Sequence, residues 1–127
     1  MIEDVRIILS ALWIALMFTY LLGDVLRIFS GDFIPGQIAG EKATQRRWFL
    51  AALLMLIPIV MLFLSVVVPN PLIGWLNIAF AILLLIINLA GLRSYPGYYD
   101  RFLIIVGCIF NILTVWYAWQ WLFGLIQ

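Results

Sequence analysis

The chain has 127 residues, 67% hydrophobic and 10% charged, far from the roughly 45 to 50% apolar and about 25% charged content of a soluble domain. Seven Lys or Arg against six Asp or Glu give a formal net charge of +1, which leaves no basic surplus for a phosphate backbone and argues against a nucleic-acid partner. With no histidine and a single cysteine, Cys108, the usual zinc, haem, general-base and disulfide arrangements lose their groups, so neither cofactor nor metal is expected.

Four long apolar runs fill the rest. The first predicts a membrane span over 7–29, which at ~1.5 Å per residue gives roughly 35 Å of helix against a hydrocarbon core of about 30 Å. Glu3 and Asp4 beside a lone Arg6, and the absence of a small-x-small cleavage pattern, read as a retained helix rather than a secretory signal. Ser30 and Gly31 should end it, because glycine readily takes the left-handed conformation that closes a helix. The loop from Gly31 to Arg47 is the longest connection, and a short helix or interfacial segment is expected there. Gly36 and Gly40 spell GxxxG, but outside an apolar span the spacing carries no dimerisation signal.

The second span is placed at 48–68, with Thr44 as N-cap, Arg46 and Arg47 at headgroup level and Pro58 near its middle. Pro69, Asn70 and Pro71 form a tight turn, in which Asn70 can cap and Pro71 can take the first helical position. The third span covers 72–92. A turn built on Pro96 and Gly97 then leads through Tyr98, Tyr99 and Asp100 into the fourth, 102–125. The fold expected is all-α: an integral membrane four-helix up-down bundle, one domain over 1–127.

An even number of spans puts both termini and the second turn on one side, which carries only Arg6. The other side carries Arg27, Lys42, Arg46, Arg47, Arg93 and Arg101. The positive-inside rule therefore makes the first and third loops cytoplasmic and leaves both termini outside. Trp48, Trp75, Tyr98, Tyr99, Trp119 and Trp121 lie near span ends, as interfacial aromatics do.

Inside the spans the polar residues are few. Asp24 falls about five residues from one end of the first span; an acidic group at a span centre costs about 2.5 to 3.5 kcal/mol on insertion scales, less near the interface, so it should face protein or water. Tyr20 precedes it by one turn and Arg27 follows it by three residues, so Asp24 and Arg27 are a candidate structural ion pair. Asn77, Ala81, Asn88 and Gly91 form a small and polar stripe on the third span, and Gly107, Asn111, Thr114 and Ala118 one on the fourth. Such stripes serve as helix glue. Facing inward, Tyr20, Asp24, Asn88 and Asn111 become candidate ligand-binding residues lining one cytoplasm-facing polar pocket. No paired-carboxylate, GxSxG or glycine-rich phosphate motif is present, so no enzyme activity and no catalytic residue is expected.

The stretches LWIALMFTYLLGDVLRIF, TQRRWFLAALLMLIPIVMLFLS, YPGYYDRF and WYAWQW resemble an uncharacterised family of small prokaryotic four-span membrane proteins, a domain of unknown function. The resemblance runs across almost the whole chain through Leu12, Trp13, Tyr20, Asp24, Pro58, Tyr98, Tyr99, Trp116, Tyr117, Trp119 and Trp121. It implies the four-helix topology and a prokaryotic cell membrane, and it supplies no activity. Two function classes follow from the residues: a small transporter or small-ligand-binding membrane protein using the Asp24 pocket, or a structural or accessory subunit of a larger membrane complex. A bundle of 127 residues has little interior of its own, so homo-oligomers or other membrane subunits are expected partners beside the bilayer.

Overall fold

The computed structural model describes residues 3–38, 41–94 and 97–125. Four helices carry the chain: α1 (Asp4–Ser30), α2 (Gln45–Val67), α3 (Leu72–Gly91) and α4 (Tyr98–Leu122). All four are long and apolar enough to cross a membrane. The up-down course is fixed by contacts between helix ends. Glu3 and Arg6 meet Trp121 and the end of α2, while Arg27 meets Asp100 at the start of α4. Below, the end with the two longer loops is the loop end; the end with both termini and the tight turn is the turn end.

α1 is the central helix, packed against α2 on one side and α4 on the other; α3 packs on α4, and α2 and α3 make little contact. The reason is legible along α1. Val5, Leu9, Leu12, Trp13, Leu16, Thr19 and Gly23 are buried at the three- and four-residue spacing of one helical face. On α2 only Pro58, Met61 and Ser65 are buried. Its large side chains, such as Phe49, Leu53, Leu56 and Phe63, point outward, which in water would be a liability and in hydrocarbon is the ordinary arrangement.

Polar groups knit the turn end. The Arg6 guanidinium donates to the carbonyls of Ser65, Val66 and Val68 at 3.1, 3.4 and 2.7 Å, which satisfies acceptors that the end of α2 leaves free. It also lies 4.9 Å from the centre of the Trp121 ring, a cation–π contact, while the Trp121 indole N–H donates to Glu3 at 3.1 Å. Trp121 is thus only 4% exposed. It stands at the end of α4 as expected, but an acidic acceptor on α1 draws its indole inward, whereas Trp48, Trp75 and Trp119 face outward. One turn deeper, Asn77 accepts the Trp13 indole N–H at 2.7 Å and donates to Ser65 at 3.3 Å. That tie holds α3 to α1 and α2 in the manner of interhelical glue.

The element ends refine the sequence reading. Gly31 closes α1 at φ 83°, and Thr44 caps α2 by accepting the Arg47 amide at 3.3 Å, both as expected. Pro71 stands one residue before the first helical position, and Asn70 makes no side-chain cap. The carbonyls of Pro69 and Pro71 instead take the amides of Ile73 and Trp75, each at 3.2 Å. α4 begins at Tyr98, four residues earlier than predicted, so Tyr98, Tyr99 and Asp100 are helical; an acidic residue in a first turn suits the helix dipole. Of the turn residues, Pro96 lies outside the described residues. The first loop holds two short antiparallel strands, β1 (Gln37–Ile38) and β2 (Glu41–Lys42); of the two expectations for it, a short helix or an interfacial segment, the described residues form no helix there. Gly36 at φ 85° and the Ala43 amide on the Gly36 carbonyl at 2.9 Å fold it back on itself. Gly40 of the GxxxG spacing lies outside the described residues.

Candidate ligand-binding site

At the loop end the last three turns of α1 carry Tyr20, Gly23, Asp24 and Arg27 toward α3 and α4. Asp24 and Arg27 form the pair their spacing implies, 2.9 Å between Oδ1 and the guanidinium. The same guanidinium reaches across to Asp100 of α4 with two donors, at 3.1 and 3.3 Å. Its partners differ in burial: the Asp24 side chain is 50% exposed and that of Asp100 only 5%. The buried acid of this end is therefore Asp100. The sequence places it in a turn, whereas α4 starts at Tyr98 and holds it in the first helical turn.

These charges border a cavity of about 260 Å³ that all four helices line. Tyr20, Asp24 and Arg27 stand on its α1 wall, Leu54 and Met55 on α2, Leu84, Asn88 and Gly91 on α3, and Asp100 and Leu103 on α4. The cavity occupies the gap left where α2 and α3 fail to pack. Its volume is below the roughly 300 to 1,000 Å³ of drug-sized sites, so it suits a small occupant. Two carboxylates against one guanidinium leave its rim with a formal excess of one negative charge. Below the rim, the Asn88 amide donates to the Tyr20 hydroxyl at 2.7 Å.

Three of the four residues singled out in the sequence, Tyr20, Asp24 and Asn88, meet at this cavity. The fourth, Asn111, does not line it. It is fully buried one turn deeper on α4 than Gly107, within reach of the Tyr20 hydroxyl, and neither its Oδ1 nor its Nδ2 meets a partner at hydrogen-bonding distance and angle among the described residues. The α3 and α4 stripes do face inward: Asn77, Ala81, Gly107, Thr114 and Ala118 are buried. Thr114 satisfies its hydroxyl on the Phe110 carbonyl of its own helix at 2.8 Å. Among the described residues no group of three His, Cys, Asp or Glu could hold a metal ion.

Outside the cavity a second clasp joins the same two helices. Ser30 and Tyr99 hydroxyls lie 2.9 Å apart and both donate to the Asp32 carboxylate. Hydrogen bonds to the ionised form favour it, and the Tyr99 bond first, then that of Ser30, hold the Asp32 carboxyl below its ordinary range.

Comparison with known proteins adds family membership. No curated protein and no solved structure matches the chain. Residues 2–123 match the model of a family described as a family of unknown function, DUF6326. That match covers nearly the whole chain, all four apolar helices included, and the protein accordingly belongs to DUF6326.

Proposed function

We propose that this four-span membrane protein binds, and carries across the membrane, a small solute bearing a positive charge, using the cavity at its loop end. The observation that carries the reading is the gathering of Asp24, Arg27 and Asp100 beside a cavity that four otherwise apolar helices leave open. Ionisable groups within membrane spans are costly and mark sites of function by default. Here the half-exposed Asp24 supplies the carboxylate that a cation would meet, while Arg27 keeps the buried Asp100 neutralised.

The charge bias supports an orientation. With Lys42, Arg46, Arg47, Arg93 and Arg101 at the loop end and Arg6 opposite, the cavity opens to the cytoplasm of a prokaryotic cell and both termini lie outside. A cysteine replacing Asp32 is expected to react with a membrane-impermeant thiol reagent in inverted vesicles and to stay unlabelled in intact cells; the reverse pattern rejects the orientation.

Binding itself is tested by thermal unfolding of the protein in lipid nanodiscs against methylammonium, guanidinium and tetramethylammonium. A ligand specific to the folded state raises the unfolding temperature in a concentration-dependent way. The reading expects such a rise with at least one cation, lost in Asp24→Asn while the variant alone keeps its fold. Stabilisation undiminished by Asp24→Asn refutes the assignment of that carboxylate.

A second reading rests on α2, whose outward face leaves all but three of its residues incompletely buried. Docking of that face against another membrane subunit or a second copy gives an accessory role, in which the Asp24 and Arg27 pair fixes helix register. Asp24→Asn then loosens the bundle or its assembly and leaves no binding to lose.

A further inference from the structure

Asn111 is the polar side chain that neither the packing nor the cavity rim accounts for. It is fully buried, and its amide oxygen and nitrogen both lack a partner at hydrogen-bonding distance and angle among the described residues. In a hydrocarbon-facing bundle an amide with both groups unmet is costly, because no bulk water reaches it. At the tight turn the Asn70 side-chain oxygen is likewise buried without a partner among the described residues, whereas within the spans Asn77 is met by Trp13, Ser65 and the Ile73 carbonyl, Thr114 by Phe110 and Thr19 by Ala15.

The cavity wall holds one hydrogen bond, from Asn88 on α3 to the Tyr20 hydroxyl on α1. Beside it lies Gly107. A Cβ added there would meet Leu16, Tyr20 and Asn88 at 3.5, 3.6 and 3.7 Å, ordinary van der Waals distances, so the glycine leaves methyl-sized room next to the bond. Tyr20 and Asn88 line the cavity, and Asn111 follows Gly107 by one turn on α4, within reach of the Tyr20 hydroxyl.

We propose that the Tyr20–Asn88 hydrogen bond is a gate, and that behind it Asn111 forms an inner binding site for a group that both donates and accepts a hydrogen bond. An amide offers one acceptor and two donors, so the complementary group is a hydroxyl or a carboxamide. This deepens the cation-binding reading, on which it rests: the solute class becomes a small molecule with a positive charge at one end, held at Asp24, and a hydroxyl or carboxamide at the other, held at Asn111. The same hydrogen-bonding chemistry is available to a single enclosed water, and the test separates the two.

The probe is 2-hydroxyethyl methanethiosulfonate, a small neutral hydroxyl-bearing thiol reagent, applied to native membranes with Cys108 replaced by alanine and one cysteine introduced. Labelling rates are read by mass shift. Leu103→Cys at the cavity wall should label, and Ala118→Cys in the packed interior should not. Asn111→Cys is expected to label within tenfold of the Leu103→Cys rate, and at least tenfold faster when Tyr20→Phe removes the hydroxyl that accepts the Asn88 bond. Should Asn111→Cys fail to accumulate in the membrane, Gly107→Cys, whose Cβ would sit at ordinary contact distance from its neighbours, reports on the same passage with the same expectations. An inert inner thiol beside a reactive Leu103→Cys overturns the inner site, leaves the outer cavity standing and makes water the amide's partner. A rate unchanged by Tyr20→Phe overturns the gate. Inert thiols at both positions overturn the cavity as well.

Discussion

Arg27 sits between two carboxylates of unequal burial, and that inequality decides what each substitution does. Replacing it by glutamine leaves Asp100 buried without its charge partner, and breaking a buried pair in this way costs roughly 3 kcal/mol at the low end. Arg47 pairs with Glu41 at 3.4 Å where both side chains are exposed, and pairs of that kind contribute less than about 1 kcal/mol. Thermal unfolding in detergent micelles should therefore separate Arg27→Gln clearly from Arg47→Gln. Asp32 supplies a prediction in pH. Its folded carboxyl lies below the unfolded value, so its share of stability is present above the ordinary Asp range and lost as pH falls through the depressed folded value. Tyr99→Phe removes the largest cause, and the Asp32 carboxyl should then titrate closer to the ordinary range when followed by carboxylate carbon NMR. The Asp24–Arg27 pair was readable from spacing alone, as was the convergence of Tyr20, Asp24 and Asn88. Asp100 was not, because the decision rests on where α4 begins, and Pro-Gly followed by two tyrosines reads equally as turn.

At the scale of elements, two close fits set the packing. On α3, a Cβ at Gly74 would lie 2.6 Å from Leu122 Cγ and 2.9 Å from Asn70 Oδ1, closer than the α3–α4 contact allows. Gly74→Ala is expected to destabilise by about 1 to 3 kcal/mol, the usual range for overpacking, whereas Gly107→Ala, with its neighbours at 3.5 Å or more, should be tolerated. Unfolding of both variants under one condition checks the contrast. Arg6 closes the far end of α2 from another helix. Arg6→Met should fray that end, read as faster hydrogen exchange over Leu64 to Val68, with a loss of about 1.5 to 3 kcal/mol for bonds from a charged donor. Helix existence and number were legible from apolar run length, because hydrocarbon thickness fixes how long a span must be. The exact ends and the loop strands were less so. They depend on groups far away in sequence, such as Arg6 on the α2 carbonyls, or on backbone carbonyls that any residue can supply.

The whole molecule is an incomplete ring of helices, in which the chain neighbours α2 and α3 barely pack and the gap holds the polar cavity. No local pattern announces that gap. Consecutive helices joined by a tight turn are expected to pack along their length, and only the strong pairing of α1 with both α2 and α4 draws them apart. Membership of DUF6326 is consistent with four spans and leaves the occupant of the cavity to be identified. The most direct measurement is native mass spectrometry of the tagged protein extracted gently from its own membrane, compared with Asp24→Asn. A small-molecule adduct is expected on the wild-type chain and missing from an equally well assembled Asp24→Asn. A bare wild-type mass accompanied by a fixed complement of other membrane subunits would contradict that expectation, and would make the charged cluster a device for assembly.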